Sequence, residues 1–160
     1  MPPVHIPKAI PDGMSGAIPM LAIRGAAQAL DFYKAAFGAT EVMRLSEPSG
    51  KIGHAEIKIG DALIMLADEY PGFNTSPQTL NGTSVIIHLY VADVDAVAAR
   101  AVQPGAKIII PVQNQFYGDR TCRLADPFGH VWIFSTHIED VSVQEMQARF
   151  DAMMKSGSGA

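Results

Sequence analysis

The feature that most constrains the fold is an internal duplication with a period of about 68 residues. The stretch "FGATEVM" in the first half corresponds to "PGAKIII" in the second, and "GDALIMLA" corresponds to "GHVWIFST". Each half has an apolar run, then a helical pattern, then three strand-like stretches. The sequence therefore predicts an α+β protein built from two tandem βαβββ modules.

The predicted elements follow the same order in both halves. In the first half we expect strands at 18–23, 40–45, 52–59 and 62–67, with a helix at 26–37. In the second half we expect strands at 84–91, 107–111, 120–125 and 130–136, with a helix at 93–102. Asp126-Pro-Phe-Gly has the residues typical of a type I turn, so the last two strands are predicted to form a hairpin.

Flanking and connecting segments divide the chain further. Residues 1–16 are rich in proline and are predicted to be an extended arm, and a polar linker separates the modules at 17–70 and 83–138 within the paired domain 17–138. Residues 139–154 carry a helical pattern whose apolar stripe, Val143, Met146 and Phe150, is typical of a core or dimer contact. Residues 155–160 are predicted to be a flexible tail.

Composition excludes several classes of protein. Of the 160 residues, 48% are hydrophobic and 18% are charged, which is enough apolar material for a real core. The net charge of −4 is spread along the chain without a basic cluster, which argues against nucleic acid and against an anionic membrane surface. A single cysteine, Cys122, excludes an internal disulfide and fits a reducing, cytoplasmic location. The sequence has neither a membrane-length apolar run nor a signal-peptide pattern.

Several blocks resemble one superfamily of proteins. They are ALDFYKAAFGA, HAEIKIGDALIMLADE, LYVADVDAV, YGDRTCRLADPFGHVWIFSTH and EDVSVQEM. Over about residues 17–138 the chain resembles the vicinal oxygen chelate superfamily, which includes glyoxalase I, extradiol dioxygenases and bleomycin-resistance proteins. More narrowly, it is similar to the PhnB-like branch. The resemblance implies a cup-shaped, eight-stranded mixed sheet with the helices outside.

The resemblance also implies where a metal would bind. Metal enzymes of the superfamily take their ligands from the first and last strands of each module. Those positions are predicted to be Ile18, Ile64, Ile86 and Ile133 in this sequence. Because isoleucine has no lone pair to donate, we expect an apolar cup floor, with no metal and no cofactor.

Other polar side chains fall on the strands that would line the cup. His54 and Glu56 share one strand face, and His88 shares a face with Ile86 and Tyr90. If both faces look into the cup, His54, Glu56 and His88 could meet as a displaced metal site, as acid–base residues, or as a polar network that contacts a ligand.

Two arginines bracket Cys122 on the seventh predicted strand. Arg123, or else Arg120, is predicted to hold an anionic group of a ligand, whereas Cys122 is expected to be an inert apolar residue. His130 is expected at a strand end on the surface, and His137 at the cup rim or in the cap of the last helix.

Two functions remain open at the level of sequence. The first is a metal-independent protein that binds a small organic ligand in a mainly hydrophobic cup, and that forms a homodimer. The alternative is a glyoxalase-like lyase or isomerase that uses His54, Glu56 and His88. The predicted ligand-binding residues are Ile18, His54, Glu56, Ile64, Ile86, His88, Tyr90, Arg120, Arg123 and Ile133.

Overall fold

A computed structural model describes residues 7–157 and confirms the duplicated order of elements. The first module contains β1 (Met20–Ile23), α1 (Ala26–Phe37), β2 (Thr40–Ser46), β3 (Ile52–Ile59) and β4 (Ala62–Asp68). The second contains β5 (Ile86–Tyr90), α3 (Val94–Val102), β6 (Lys107–Asn114), β7 (Asp119–Ala125) and β8 (Val131–His137). A one-turn helix, α2 (Pro77–Leu80), lies between them, and α4 (Val143–Lys155) follows them.

The eight strands form two four-stranded mixed sheets, as expected for an α+β fold. The strand order is β1-β4-β3-β2 in the first sheet and β5-β8-β7-β6 in the second. In each sheet the first and last strands of the module pair in parallel, and the other neighbours pair antiparallel. The two sheets therefore repeat one topology.

One hydrophobic core joins the two modules. Each sheet contributes the alternate residues that face its helix, for example Ile57 and Leu66 in the first and Leu124 and Trp132 in the second. On α1, the ring of Phe37 lies 5.0 Å from that of Trp132, so α1 packs against its own sheet and also against the core face of the second. The opposite faces of both sheets consequently point away from the shared core.

Carboxylates and a glycine set the ends of the helices. The buried Asp68 carboxylate accepts hydrogen bonds from the amides of Gly25 and Ala26, where α1 begins. Asp93 caps α3 by accepting from the amide of Ala96. The chain leaves α1 through Gly38, whose φ of 66° lies in the left-handed region that favours glycine.

Several predicted boundaries differ from those in the structure. β1 begins at Met20 and β5 at Ile86, two residues later than predicted, whereas β6 continues to Asn114. The predicted linker contains α2, which Ser76 caps with its hydroxyl and which has proline at its first position. The last helix begins at Val143 rather than near residue 139, and residues 139–142 precede its Ser142 cap.

The terminal segments are described only in part. The predicted arm at 1–16 and the predicted tail at 155–160 extend outside the described residues, which begin at 7 and end at 157. Among the helices within that range, none has both the length and the apolar character needed to cross a membrane.

Candidate functional site

The candidate site lies on the face of the second sheet that points away from the core, which we call the second open face. Its strands place these side chains there: Ile86, His88, Tyr90, Thr121, Arg123, Ile133 and Ser135. Their sequence neighbours, such as Ile87, Cys122 and Phe134, are buried in the core, so strict alternation along each strand defines the face.

Strand register arranges this face in rows. One row runs across the sheet through Ile110, Arg123, Ile133 and His88, because Arg123 pairs with Ile110 and with Ile133, and Ile133 pairs with His88. Neighbouring strands are about 4.8 Å apart, so Arg123 and His88 are separated by about 10 Å, with Ile133 between them. The next row contains Thr121, Ser135 and Tyr90.

Three of the four predicted floor isoleucines lie near this face. Ile18 and Ile86 line a cavity of about 420 Å³ that opens between the start of β1 and β5, and His88 also lines it. Ile133 lies beside His88 in the sheet. Ile64 is only 1% exposed and belongs to the core, although it also borders this cavity, whereas Ile133 does not line it. The four isoleucines therefore do not form one floor.

The misplaced Ile64 has a simple geometric cause. The two last-strand positions were predicted as the fourth residue after each turn glycine, Gly60 and Gly129, which assumes that the two hairpin turns are equally long. However, these glycines are 69 residues apart, whereas the strands repeat every 68 residues. In the register, Met65 pairs with Met20 as Ile133 pairs with His88. The residue of the first module that corresponds to Ile133 is therefore Met65. The predicted residue, Ile64, is one position away, and neighbouring residues of a strand have their side chains on opposite faces.

The first open face lies on the other sheet and has a different character. Its central row contains Met20, Met65, Glu56 and Met43. His54 lies two residues from Glu56, and its Nε2 is 3.2 Å from the Glu56 carboxylate. His54 and Glu56 therefore meet, but His88 lies on the other sheet and contacts Ser135 and Tyr90 instead. The possible cluster of His54, Glu56 and His88 does not form.

The residues present do not fit the metal site that the superfamily resemblance implies. The inferred ligand positions hold isoleucine, and the corrected position in the first module holds methionine, whose thioether is a poor ligand for hard divalent cations. Across residues 7–157, the structure gathers no group of three or more His, Cys, Asp or Glu that could hold a metal ion.

His88 takes part in a polar arrangement on the second open face. Its Nε2 lies 2.7 Å from the hydroxyl of Ser135, which is fully buried beneath it. Its ring also stacks on Tyr90, with centroids 5.3 Å apart and an interplanar angle of 14°. One nitrogen of the imidazole is thus fixed by the sheet, and the ring is held parallel to an aromatic neighbour.

A chain of hydrogen bonds extends from Tyr90 to the rim. The Tyr90 hydroxyl donates to the buried carboxylate of Asp119 at 2.6 Å, and Nδ1 of His137 donates to the same carboxylate at 2.8 Å. Nε2 of His137 lies 2.9 Å from a carboxylate oxygen of Asp140. Both ring nitrogens of His137 therefore face groups that only accept, which the imidazolium form satisfies.

This arrangement shifts the pKa values of its members. Hydrogen bonds to Asp119 and then to Asp140 raise the pKa of His137, and the hydrogen bond to Asp119 raises the pKa of Tyr90. Burial alone would raise the pKa of Asp119, but the hydrogen bonds from Tyr90 and His137 outweigh it, and the net pKa is lowered. The network therefore favours an ionised Asp119 beside a protonated His137.

The two arginines of β7 have different environments. Arg120 points toward α3, where it makes a two-pronged ion pair with Asp95 and also donates to Asn114. It therefore does not reach the second open face, contrary to its place among the predicted ligand contacts. Arg123 lies on that face, and its Nε is buried without a hydrogen-bond partner among the described residues.

The remaining histidine and aspartate of the "DPFGH" stretch have structural roles. The carboxylate of Asp126 accepts from the amides of Phe128 and His130 in the turn, and from the side chains of Tyr33 and Trp132 in the core. Nε2 of His130 donates to the backbone carbonyl of Ala22 at 3.0 Å and so ties the turn to β1. His130 is half-buried, whereas the sequence predicted a surface position.

Sequence reasoning missed part of this site. Neither Asp119 nor Ser135 was among the predicted site residues. Strand parity could have placed both on the second open face, since each lies an even number of positions from a residue already assigned to it, Arg123 and Ile133 respectively.

Comparisons with known proteins agree with this fold. A family model described as the Glyoxalase/Bleomycin resistance protein/Dioxygenase superfamily matches residues 18–134. The chain belongs to this superfamily. Membership confirms the broad resemblance inferred from the sequence motifs.

The superfamily relatives include proteins of bacteria and plants. An uncharacterized protein of Mycobacterium bovis is 41% identical over 145 residues, which cover 88% of this chain and 93% of that protein. The crystal structure of TioX from Micromonospora sp. ML1 has a TM-score of 0.61 and 26% identity, covering 80% of this chain and 100% of that one. The X-ray structure of an Arabidopsis thaliana gene product has a TM-score of 0.61 and 28% identity, covering 76% of this chain and 98% of that one.

Proposed function

We propose that this superfamily member is a metal-independent protein that binds a small organic molecule on its second open face. The observation that carries the proposal is the accessible apolar and aromatic surface beside His88. Tyr90 is 64% exposed and Ile86 is 39% exposed, although both lie on a regular strand of the sheet. Single exposed apolar side chains are common, but adjoining ones often mark a contact or ligand site, and Ile86 and Tyr90 flank His88 on the same face of β5.

The adjoining cavity supports the proposal. Its volume of about 420 Å³ lies within the range of small-molecule sites, roughly 300–1,000 Å³. Such sites are mainly apolar, with a few polar groups that orient the ligand. Here Ile18, Ile86 and Leu63 provide apolar wall, and His88 provides a hydrogen-bonding group that Ser135 and Tyr90 hold in place.

The experiment is a titration with para-phenylbenzamide, an uncharged molecule with a flat apolar body. In His88→Ala we expect an affinity loss of about 1–3 kcal/mol if a hydrogen bond is made in a desolvated site. His54→Ala is the matched control, because His54 lies on the other sheet. A loss in His54→Ala without a loss in His88→Ala would contradict the assignment.

A second candidate function is acid–base catalysis of the glyoxalase type, as a lyase or isomerase. The contact between His54 and Glu56 favours it, since a carboxylate beside an imidazole is a common acid–base pair. A glyoxalase assay tests it: turnover that His54→Ala abolishes would support catalysis, and wild-type protein without turnover would count against it.

Finer expectations from the sequence remain proposals. They are membership of the PhnB-like branch, a homodimeric assembly and a cytoplasmic location. The exposed α4 supports the dimer, because Val143 is 78% exposed and Phe150 is 41% exposed on its apolar stripe, and such a stripe is usually covered by a partner.

A further inference from the structure

We propose that Arg123 is an anion anchor, so that the ligand of the second open face is an organic anion with a carboxylate or a similar group at one end. This inference rests on the proposed binding function and names the chemical class of the ligand. It starts from a polar atom that the fold leaves unsatisfied: Nε of Arg123 is buried and has no partner within residues 7–157.

Such an arrangement is costly unless something pairs with it. A guanidinium group has five N–H donors, and buried charged groups in folded proteins are nearly always paired or hydrogen-bonded. Each of the other five arginines donates to an acceptor of the protein; they are Arg24, Arg44, Arg100, Arg120 and Arg149. For Arg123 the described part of the chain supplies none, neither a hydrogen bond nor an ion pair.

The position of Arg123 in the sheet places its side chain on the second open face. Cys122 and Leu124 on either side of it are buried in the core, so Arg123 must lie on the second open face. The nearest acid on that face, Asp119, is four residues away along β7, about 13 Å, and already pairs with Tyr90 and His137. No acid of this face is placed to pair with Arg123, so the proposed anion comes from outside the sheet.

The neighbours of Arg123 define the rest of the ligand. Ile110 and Ile133 flank it, and His88 lies one strand beyond Ile133. A molecule that spans this row would place its anionic end on Arg123, an apolar body about 10 Å long over Ile133, and its far end at His88 and the cavity. The planar guanidinium fork suits a carboxylate, which it can bind through two parallel hydrogen bonds.

A carboxylate from a second copy of the chain is the competing partner. Glu56 occupies the position in the first module that corresponds to Arg123, since Glu56 pairs with Met65 as Arg123 pairs with Ile133. However, Glu56 is buried and its carboxylate already contacts His54. A ligand anion is therefore the better-supported partner.

The test compares two probes of one shape, para-phenylbenzoate and its uncharged carboxamide, by calorimetric titration. Wild-type protein should bind the carboxylate more tightly. In Arg123→Gln the carboxylate should lose about tenfold or more in affinity while the carboxamide keeps its own, which removes the preference. Arg123→Lys, which keeps the charge without the fork, should recover part of it. Arg120→Gln is the matched control and should leave the preference unchanged, because Arg120 faces α3.

Three results would overturn the anchor. The first is an equal loss for both probes in folded Arg123→Gln, which indicates a structural role. The second is an unchanged preference. The third is dissociation of an oligomer in Arg123→Gln, which would assign the partner carboxylate to a second copy. If neither probe binds, or if His88→Ala changes neither affinity, the proposed function itself fails; if both probes bind the site equally in wild type, only the anchor fails.

Discussion

Replacing Asp126 should destabilise the protein more than its place in a hairpin turn suggests. The residue is only 5% exposed, and its carboxylate accepts four hydrogen bonds, two from turn amides and two from the side chains of Tyr33 and Trp132. Both of those side chains are fully buried. Asp126→Ala would leave their O–H and N–H groups without an acceptor and without access to water.

The magnitude follows from those orphaned donors. A buried donor that loses its partner costs about 1–3 kcal/mol, so two of them and the weakened turn give an expected loss of about 3–5 kcal/mol. That is a large part of the roughly 5–15 kcal/mol by which folded proteins are stable. Asp126→Asn should lose less stability than Asp126→Ala. Its amide oxygen can still accept from one pair of donors, either the two turn amides or the two side chains, while its N–H₂ group must face the other pair.

Urea unfolding, followed by circular dichroism, measures the difference. Asp31→Ala serves as the control, because Asp31 lies on the exposed side of α1, near Tyr33 in sequence, and should change stability by less than about 0.5 kcal/mol. Tyr33→Phe combined with Asp126→Asn completes a double-mutant cycle. If Asp126→Ala unfolds within about 1 kcal/mol of wild type, the reasoning about buried acceptors is refuted.

Three further predictions concern pH, metal and assembly. The pKa of His137 should exceed its ordinary value of about 6.5 in an NMR titration and fall in Asp119→Asn. Since the folded-state pKa is raised, the stabilisation by His137 is complete below the unfolded-state pKa and is lost as pH rises through the folded-state pKa. In His137→Gln the free energy of unfolding should therefore depend less on pH in this range, and an unchanged dependence would contradict the argument. Elemental analysis of protein purified without chelator should find no stoichiometric transition metal; about one chelatable ion per chain, bound at histidines, would show the donor argument to be wrong. Light scattering should give twice the chain mass, whereas a monomer at high micromolar concentration would count against the homodimer.

The arrangement of elements could be predicted because it depends on local patterns and on the repeat. Alternation in "IGHAEIKI" indicated β3, and the Asp126-Pro-Phe-Gly turn was confirmed by the hydrogen bond from the amide of Gly129 to the carbonyl of Asp126. The predicted ends of the strands were less accurate. β1 and β5 begin only where the neighbouring strand offers hydrogen-bond partners, which are Met65 for Met20 and Val131 for Ile86.

The site was predictable only where strand parity was enough. Parity placed Ile86, His88 and Tyr90 on one face correctly. The count of four residues from each turn glycine gave the wrong residue, Ile64, because the two hairpin turns differ in length. Parity could not show whether the faces that carry His54 and His88 meet, because the arrangement of the two sheets depends on long-range packing. The contact of Tyr33 with Asp126, which spans 93 residues, is of the same kind.

Amide chemical shifts in the presence of para-phenylbenzamide test the binding face most directly. The probe is uncharged, so the result does not depend on the role of Arg123. If the second open face binds small molecules, the largest and saturable shifts should fall on residues 86–90, 121–125 and 131–135, which form the adjacent parts of β5, β7 and β8. Saturable shifts centred instead on the first sheet or on α4, or no shifts at millimolar probe, would contradict the proposal that this face is the ligand site.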